Sequence, residues 1–235
     1  MHIQDKKVLV IVAHPDDELL GCGATMHKLI HENSCRIRAV ILGEGITSRS
    51  EKRESNKWSH ELREHRKNIE KARKQIGYES VGIYDFPDNR FDTIPLLDII
   101  KTVEKEKEEF KPEIIFTHHG GDLNIDHQKT FEAVATATRP IKNELVKGII
   151  AFETPSGTEW IASTEPRKFI PNLFIEISQK NLEAKIKGIE SYVYEKRKYP
   201  HPRSPKALKI LAQRYGVMMG GEFFEAFQII RIKLE

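Results

Sequence analysis

The chain has 235 residues, 39% of them hydrophobic and 31% charged, and 38 Lys and Arg against 35 Asp and Glu leave a net charge of +3. That length suits one α/β domain with a sizeable core, and we expect residues 1–235 to form a single domain. So small a net charge, with no aromatic-basic motif beside it, argues against nucleic acid as a partner while leaving a small anionic substrate open. Cys22 and Cys35 are the only cysteines, which excludes a disulfide scaffold and a thiolate zinc cluster.

The opening residues carry basic charge and a short apolar run, yet acids follow at once where a signal peptide would show a small-residue cleavage site. No apolar stretch reaches membrane-spanning length, so a cytoplasmic protein with no membrane partner is expected. Lys7 to Ala13 (KVLVIVA) is almost uniformly apolar, as a strand covered on both faces should be. Residues 17–32 follow as one expected helix, with Leu19, Cys22, Met26, Leu29 and Ile30 at three- and four-residue steps. A strand is expected at 36–42, a strongly charged helix at 59–76, a strand at 81–86 and a helix at 95–110. Next come a strand at 113–118, a polar loop, and a helix from about 126 to 139, ended by Pro140. Strands at 148–153 and 172–177, helices at 180–194 and 205–214, and a last strand at 226–232 complete the reading.

Strands alternating with helices argue for an α/β fold, a Rossmann-like doubly wound and mostly parallel sheet with helices on both faces. Ligands of such sheets bind beyond the carboxyl ends of the strands, where AHPDDE, LGE, FPDNRFD and THHGGDLNIDH all fall. Residues 43–58 are polar enough for a mobile flap, and EKRKYPHPRSP (195–205) is a proline-rich loop.

The segment VAHPDDELLG sets a histidine, a proline and three successive acids at the end of an apolar run. Helix capping accounts for part of this, since acids in a first turn complement the helix dipole and Pro15 suits an initial turn. Capping leaves the histidine unexplained. A divalent cation explains the whole: His14 and Asp17 can face one point across the turn, Asp16 lies beside it, and the metal offsets the repulsion among carboxylates. A catalytic zinc site usually has three protein ligands and one open position. His127, opening the helix after the fourth strand, is the candidate third ligand, and His118 and His119 at the strand end compete with it. Glu18 suits a supporting hydrogen bond. His201 and Arg203, held between prolines, suit presentation of polar groups at a site.

AHPDDE after an N-terminal strand, with a later DH pair opening a helix, resembles the PIG-L/LmbE-like deacetylases, zinc-dependent enzymes that remove acyl groups from N-acylated amino sugars. The resemblance runs through HPRSPKAL and FFEAF and so covers most of the chain. It implies an LmbE-like fold, with His14, Asp17 and His127 as ligands of one Zn2+ (another divalent metal being an option), Asp16 as general base and Asp126 as an orienting carboxylate. The implied partner is a small N-acylated amino sugar, phosphate- and nucleotide-linked forms included; oligomeric state is left open. By position the resemblance nominates Asp88 and Glu44 for substrate hydroxyls, and Arg63 or Arg66 as a substrate-binding arginine at the charged helix. Arg90 is a further candidate for an anionic group. The chain departs from the pattern at Asn124, where many members carry a histidine that stabilises the oxyanion or acts as acid; an asparagine amide can donate to an oxyanion but cannot shuttle protons. Two other readings stay open: a metal-dependent phosphoesterase and a non-catalytic sugar- or nucleotide-binding module.

Overall fold

The computed structural model describes residues 3–54, 56–162 and 164–233. Strands β1 (Lys7–Val12), β2 (Arg36–Gly43), β3 (Ser80–Phe86), β4 (Ile114–His118), β5 (Gly148–Phe152), β6 (Leu173–Glu176) and β7 (Phe224–Ile232) form one sheet in the order β3-β2-β1-β4-β5-β7-β6. The first five are mutually parallel; β7 runs antiparallel to both β5 and β6. The strand order reverses at the β1–β4 pair, which opens a crevice at the carboxyl ends of those two strands.

Helices α1 (Asp17–Leu20), α2 (Gly23–His31), α3 (Ser59–Ile76), α4 (Leu96–Phe110), α5 (Ile125–Ala137), α6 (Gln179–Glu190) and α7 (Pro205–Met219) cover the sheet. The uniform apolarity of β1 has a direct cause. Val8, Val10 and Val12 enter one core with Leu19, Met26, Ile69 and Ile189, from α1, α2, α3 and α6. Leu9 and Ile11 enter the opposite core with Ile99, Val103 and Val134, from α4 and α5. No helix among the described residues is long and apolar enough to cross a membrane.

One expected element is overturned. Residues 17–32 are not a single helix: α1 stops after one turn and α2 starts afresh at Gly23. The cause is tertiary. Gly21 lies so close to β5 that a Cβ there would sit 2.2 Å from the Phe152 ring, so the chain passes this point only as glycine. The break strands polar backbone inside the core, and a buried ion pair answers it. Lys185 Nζ of α6 donates to Leu20 O at 2.8 Å and to Glu225 Oε1 at 2.6 Å, while Glu225 Oε2 accepts from Thr25 N at 2.7 Å. Smaller differences lie at helix ends: α6 stops at Glu190, and α7 continues to Met219, where Gly220 caps it in the left-handed conformation.

Candidate metal centre and its cavity

The turn after β1 carries Asp16 at φ 95, an unusual value for a residue with a side chain. Its amide donates to Glu18 Oε2 at 3.1 Å, and Glu18 Oε1 accepts from the Tyr192 hydroxyl at 2.5 Å. Glu18 therefore supports the turn from behind, as expected of it. The same turn aims His14 and Asp17 together: His14 Nδ1 is 3.3 Å from Asp17 Oδ2, and His127 Nε2 approaches the same oxygen to 3.2 Å. One donor atom from each of His14, Asp17 and His127 falls within 4.8 Å of the others.

Carboxylates stand behind both imidazoles. His14 Nε2 lies 2.8 Å from Asp126 Oδ2, which turns Nδ1 toward Asp17. His127 Nδ1 lies 3.1 Å from Asp122 Oδ1, which turns Nε2 the same way. This carboxylate–histidine pattern fixes ring orientation in metal sites. Asp17 Oδ1 and both ring nitrogens of His127 are buried with no aligned hydrogen-bond partner among the described residues, although buried polar groups are nearly always satisfied. Burial works against charge on His127, yet Asp17 and Asp122 outweigh it and lift the imidazole to about 9. Two imidazoles and a carboxylate converging on one point, with unspent donor atoms, fit a divalent cation by ligand type, number and support.

The competing histidines make other contacts. His118 Nε2 accepts from Ala13 N at 3.0 Å, which leaves the ring proton on Nδ1, 2.9 Å from Thr154 Oγ1. Its ring stacks on His127 with centroids 3.9 Å apart and so buttresses that residue. His119 Nε2 meets Arg167 O at 2.8 Å, away from the cluster. A second grouping, His14 with Asp88 and Asp126, also lies within metal-binding distance, but its acids are occupied: Asp126 accepts from Asn89 N and Phe91 N, and Asp88 from Ser48 N.

Above the cluster lies an open cavity of about 320 Å3, lined among others by His14, Asp16, Asp88, Asn124, His201 and Arg203. Arg203 reaches in: Nη1 donates to Asp16 Oδ2 at 3.2 Å and Nε to Ser156 Oγ at 2.6 Å. His201 Nδ1 accepts from Arg203 N at 3.2 Å, so burial and two neighbouring arginines hold this imidazole below its ordinary pKa. Asn124 lines the cavity, but both ends of its amide are engaged. Oδ1 caps α5 by accepting from Asp126 N at 2.8 Å, and Nδ2 donates to Asn89 Oδ1 at 2.9 Å.

Four expected contacts lie outside this cavity. Glu44 is tied by Arg53 in a two-point pair at 2.9 and 3.0 Å and lines a smaller adjoining hollow, together with Arg66. Arg63 projects to solvent from the outer face of α3. Arg90 points to Glu51 O at 3.0 Å. Of the segment 43–58, expected as a flap, Gly45, Ile46, Ser48 and Arg49 line the cavity, with Ile46 and Thr47 buried and Arg49 paired to Glu195, while residue 55 lies outside the described residues. In place of the α3 arginines the structure presents His65, buried on the same helix, along with Arg49, Trp160, Glu195 and Arg197 from segments flanking the cavity.

The fold and this cluster together define an α/β protein with a candidate metal centre at the switch point of its sheet. Residues 9–138, more than half the chain, match the PIG-L family, described as GlcNAc-PI de-N-acetylase, and the chain belongs to that family. It is 27% identical over 192 residues to the uncharacterized deacetylase YaiS of Escherichia coli K12, covering 80% of this chain and 90% of that one. It is 25% identical over 241 residues to the diacetylchitobiose deacetylase of Thermococcus kodakarensis, covering 96% and 83%. The fold is shared as well by GalB, the 4-carboxy-2-hydroxymuconate hydratase of Pseudomonas putida KT2440, with a TM-score of 0.74 and 18% identity over 98% of each chain. One architecture thus hosts two activities, so function has to be argued from the site.

Proposed function

We propose that the chain, as a single domain spanning residues 1–235, is a metal-dependent hydrolase that removes an N-acetyl group from an amino sugar, with one Zn2+ or similar divalent ion held by His14, Asp17 and His127. The observation that carries this reading is the convergence of those three residues, with unspent donor atoms, beside a cavity that His14 and Asp16 line. Family membership and the deacetylase names of both relatives support the reaction class. A bound divalent ion supplies Lewis acidity, which makes water nucleophilic near neutral pH.

The chain's own groups do the rest. Asp16, one residue before a ligand and facing the cavity, accepts the proton of the attacking water and returns it to the departing amine. Burial pushes the Asp16 carboxyl up, which suits a proton carrier, and Arg203 opposes that shift and holds the carboxylate in place. Asp126 and Asp122 keep His14 and His127 oriented. Asp88 and His201 line the cavity as groups for substrate hydroxyls. The cytosol suits such an enzyme.

A phosphoesterase built on paired metals needs a second vacant ligand set, and the acids of the second grouping are already hydrogen-bonded. The deciding experiment measures metal content and acetate release together. We expect one metal per chain, with acetate freed from an N-acetylglucosamine glycoside or from N,N'-diacetylchitobiose. Asp16→Asn should keep the metal and lose roughly 100- to 10,000-fold in turnover, the usual range for a general base. Near-wild-type turnover in that variant would remove Asp16 from proton transfer. Protein that takes up no divalent metal when it is supplied, and releases no acetate from either substrate, would sink the reading as a whole.

A further inference from the structure

An aspartate that opens a helix ordinarily keeps an extended backbone, and its side-chain oxygen accepts from an amide of the first turn. Asp16 opens α1 differently. Its carbonyl accepts from Leu19 N and Leu20 N at 3.0 and 2.9 Å, yet its φ is 95 and its carboxylate makes no capping bond. With this left-handed backbone the carboxylate leaves the helix it opens and turns to the cavity wall, where Oδ2 accepts from Arg203. Residues with side chains hold such a conformation only where their surroundings over-determine it.

The surroundings that do so converge on Glu18. Its Oε2 accepts from the Asp16 amide at 3.1 Å, so a side chain two residues on fixes the backbone that carries the aspartate. Two tyrosines in turn fix Glu18. The Tyr192 hydroxyl donates to Oε1 at 2.5 Å, and the Tyr78 hydroxyl donates to the Glu18 carbonyl at 3.1 Å. Both tyrosines are buried and neither lines the cavity. Tyr192 follows α6, 174 positions after Glu18 and beyond the span that matches the PIG-L family. A buried hydroxyl finds a partner as a rule, and a carboxylate makes the bond a strong one. Here that bond stands directly behind the unusual turn.

We propose that Tyr192, acting through Glu18, is a positioning residue that holds Asp16 in its left-handed turn and so keeps the Asp16 carboxylate at the cavity. Arg203 holds that carboxylate from the cavity side, whereas Tyr192 holds its backbone from the core side. The inference rests on the reading of Asp16 as general base for its effect on rate, but the hydrogen bonds behind the turn carry the positioning by themselves.

Tyr192→Phe removes the hydroxyl and keeps the buried ring, so circular dichroism should report that variant folded. It should hold as much metal as wild type, because Asp17 Oδ2 is fixed separately by the His14 amide at 3.0 Å. In acetate release from N,N'-diacetylchitobiose its kcat should fall ~10- to 100-fold with KM nearly unchanged, the mark of a misplaced reacting group. Introduced into the Asp16→Asn protein, the same substitution should slow the residual reaction less than ~2-fold, since no base is left to aim. An equal loss in both backgrounds, or none in either, overturns the proposal. A crystal structure of Tyr192→Phe gives a readout that needs no activity. Asp16 should leave its φ near 95 or its contact with Arg203. A turn that stays in place overturns the proposal and leaves the base assignment intact. A displaced turn in a protein whose Asp16→Asn variant keeps full turnover, or which frees no acetate, keeps Tyr192 as the residue that sets Asp16 and ends the base assignment.

Discussion

Asp122 stands behind His127 as Asp126 stands behind His14, and the two carboxylates differ in how far sequence exposes them. Asp126 adjoins a ligand in the DH pair, whereas Asp122 lies five residues upstream in a loop and shows its purpose only when its Oδ1 is found 3.1 Å from His127 Nδ1. Asp122→Asn should therefore weaken metal binding ~10- to 100-fold in a chelator-competition titration, the usual effect of losing an orienting carboxylate. His118→Ala should still bind one equivalent, because both nitrogens of His118 are spent on Ala13 and Thr154. Loss of metal in His118→Ala with none in His127→Ala would reverse the assignment. Asn124 invites a different measurement. Its amide caps α5, so Asn124→Ala should cost about 1 kcal/mol in a urea melt; an unchanged midpoint would show that the cap contributes nothing. His65 was within reach of a closer reading. It heads the stripe 65-69-72-76 on α3, and the next three positions are Ile69, Ala72 and Ile76, all buried. The charged residues around it, Arg63 and Arg66 among them, belong to the solvent side of that helix and masked the stripe.

At the level of elements, apolar runs and periodicities made every strand and helix of the sheet legible to within a few residues, except where a long-range contact decides. The break between α1 and α2 is such a place. In DELLGCGATMHKLIHE only Gly21 and Gly23 hint at it, because the reason is the Phe152 ring far along the chain. The partners that repair the break, Lys185 and Glu225, lie farther still. Removing one of them should be costly. Lys185→Met leaves Glu225 buried without its cation and Leu20 O without its donor, a change worth about 3–5 kcal/mol in comparable buried pairs. Chemical denaturation should show that loss in the single variant and a partial recovery in Lys185→Met/Glu225→Gln, where the second amide can still accept from Thr25 N. Equal instability of the single and double variants would mean that the pair matters only for its packing.

For the molecule as a whole, His65 predicts how stability varies with acidity. Its folded-state value of about 4 lies below the unfolded 6.5, so the unfolded chain takes up this proton first. Stability linked to the group is complete above pH 6.5 and falls as pH drops toward 4, by at most about 3 kcal/mol. Melting temperatures of wild type and His65→Gln across that window should converge as pH falls; parallel curves would show the histidine solvated and ordinary. The cavity itself is assembled from two stretches of chain. Its floor comes from residues 14–127, inside the span shared with the PIG-L family, while Ser156, Trp160 and residues 195–203 lie beyond that span. Asp16 and Arg203 form an ion pair that joins the two across 187 positions. Inheritance can therefore act on the two parts separately: a lineage can recut its outer wall to admit a new guest while the seat beneath stays as its ancestors left it, provided Arg203 keeps its grip on Asp16.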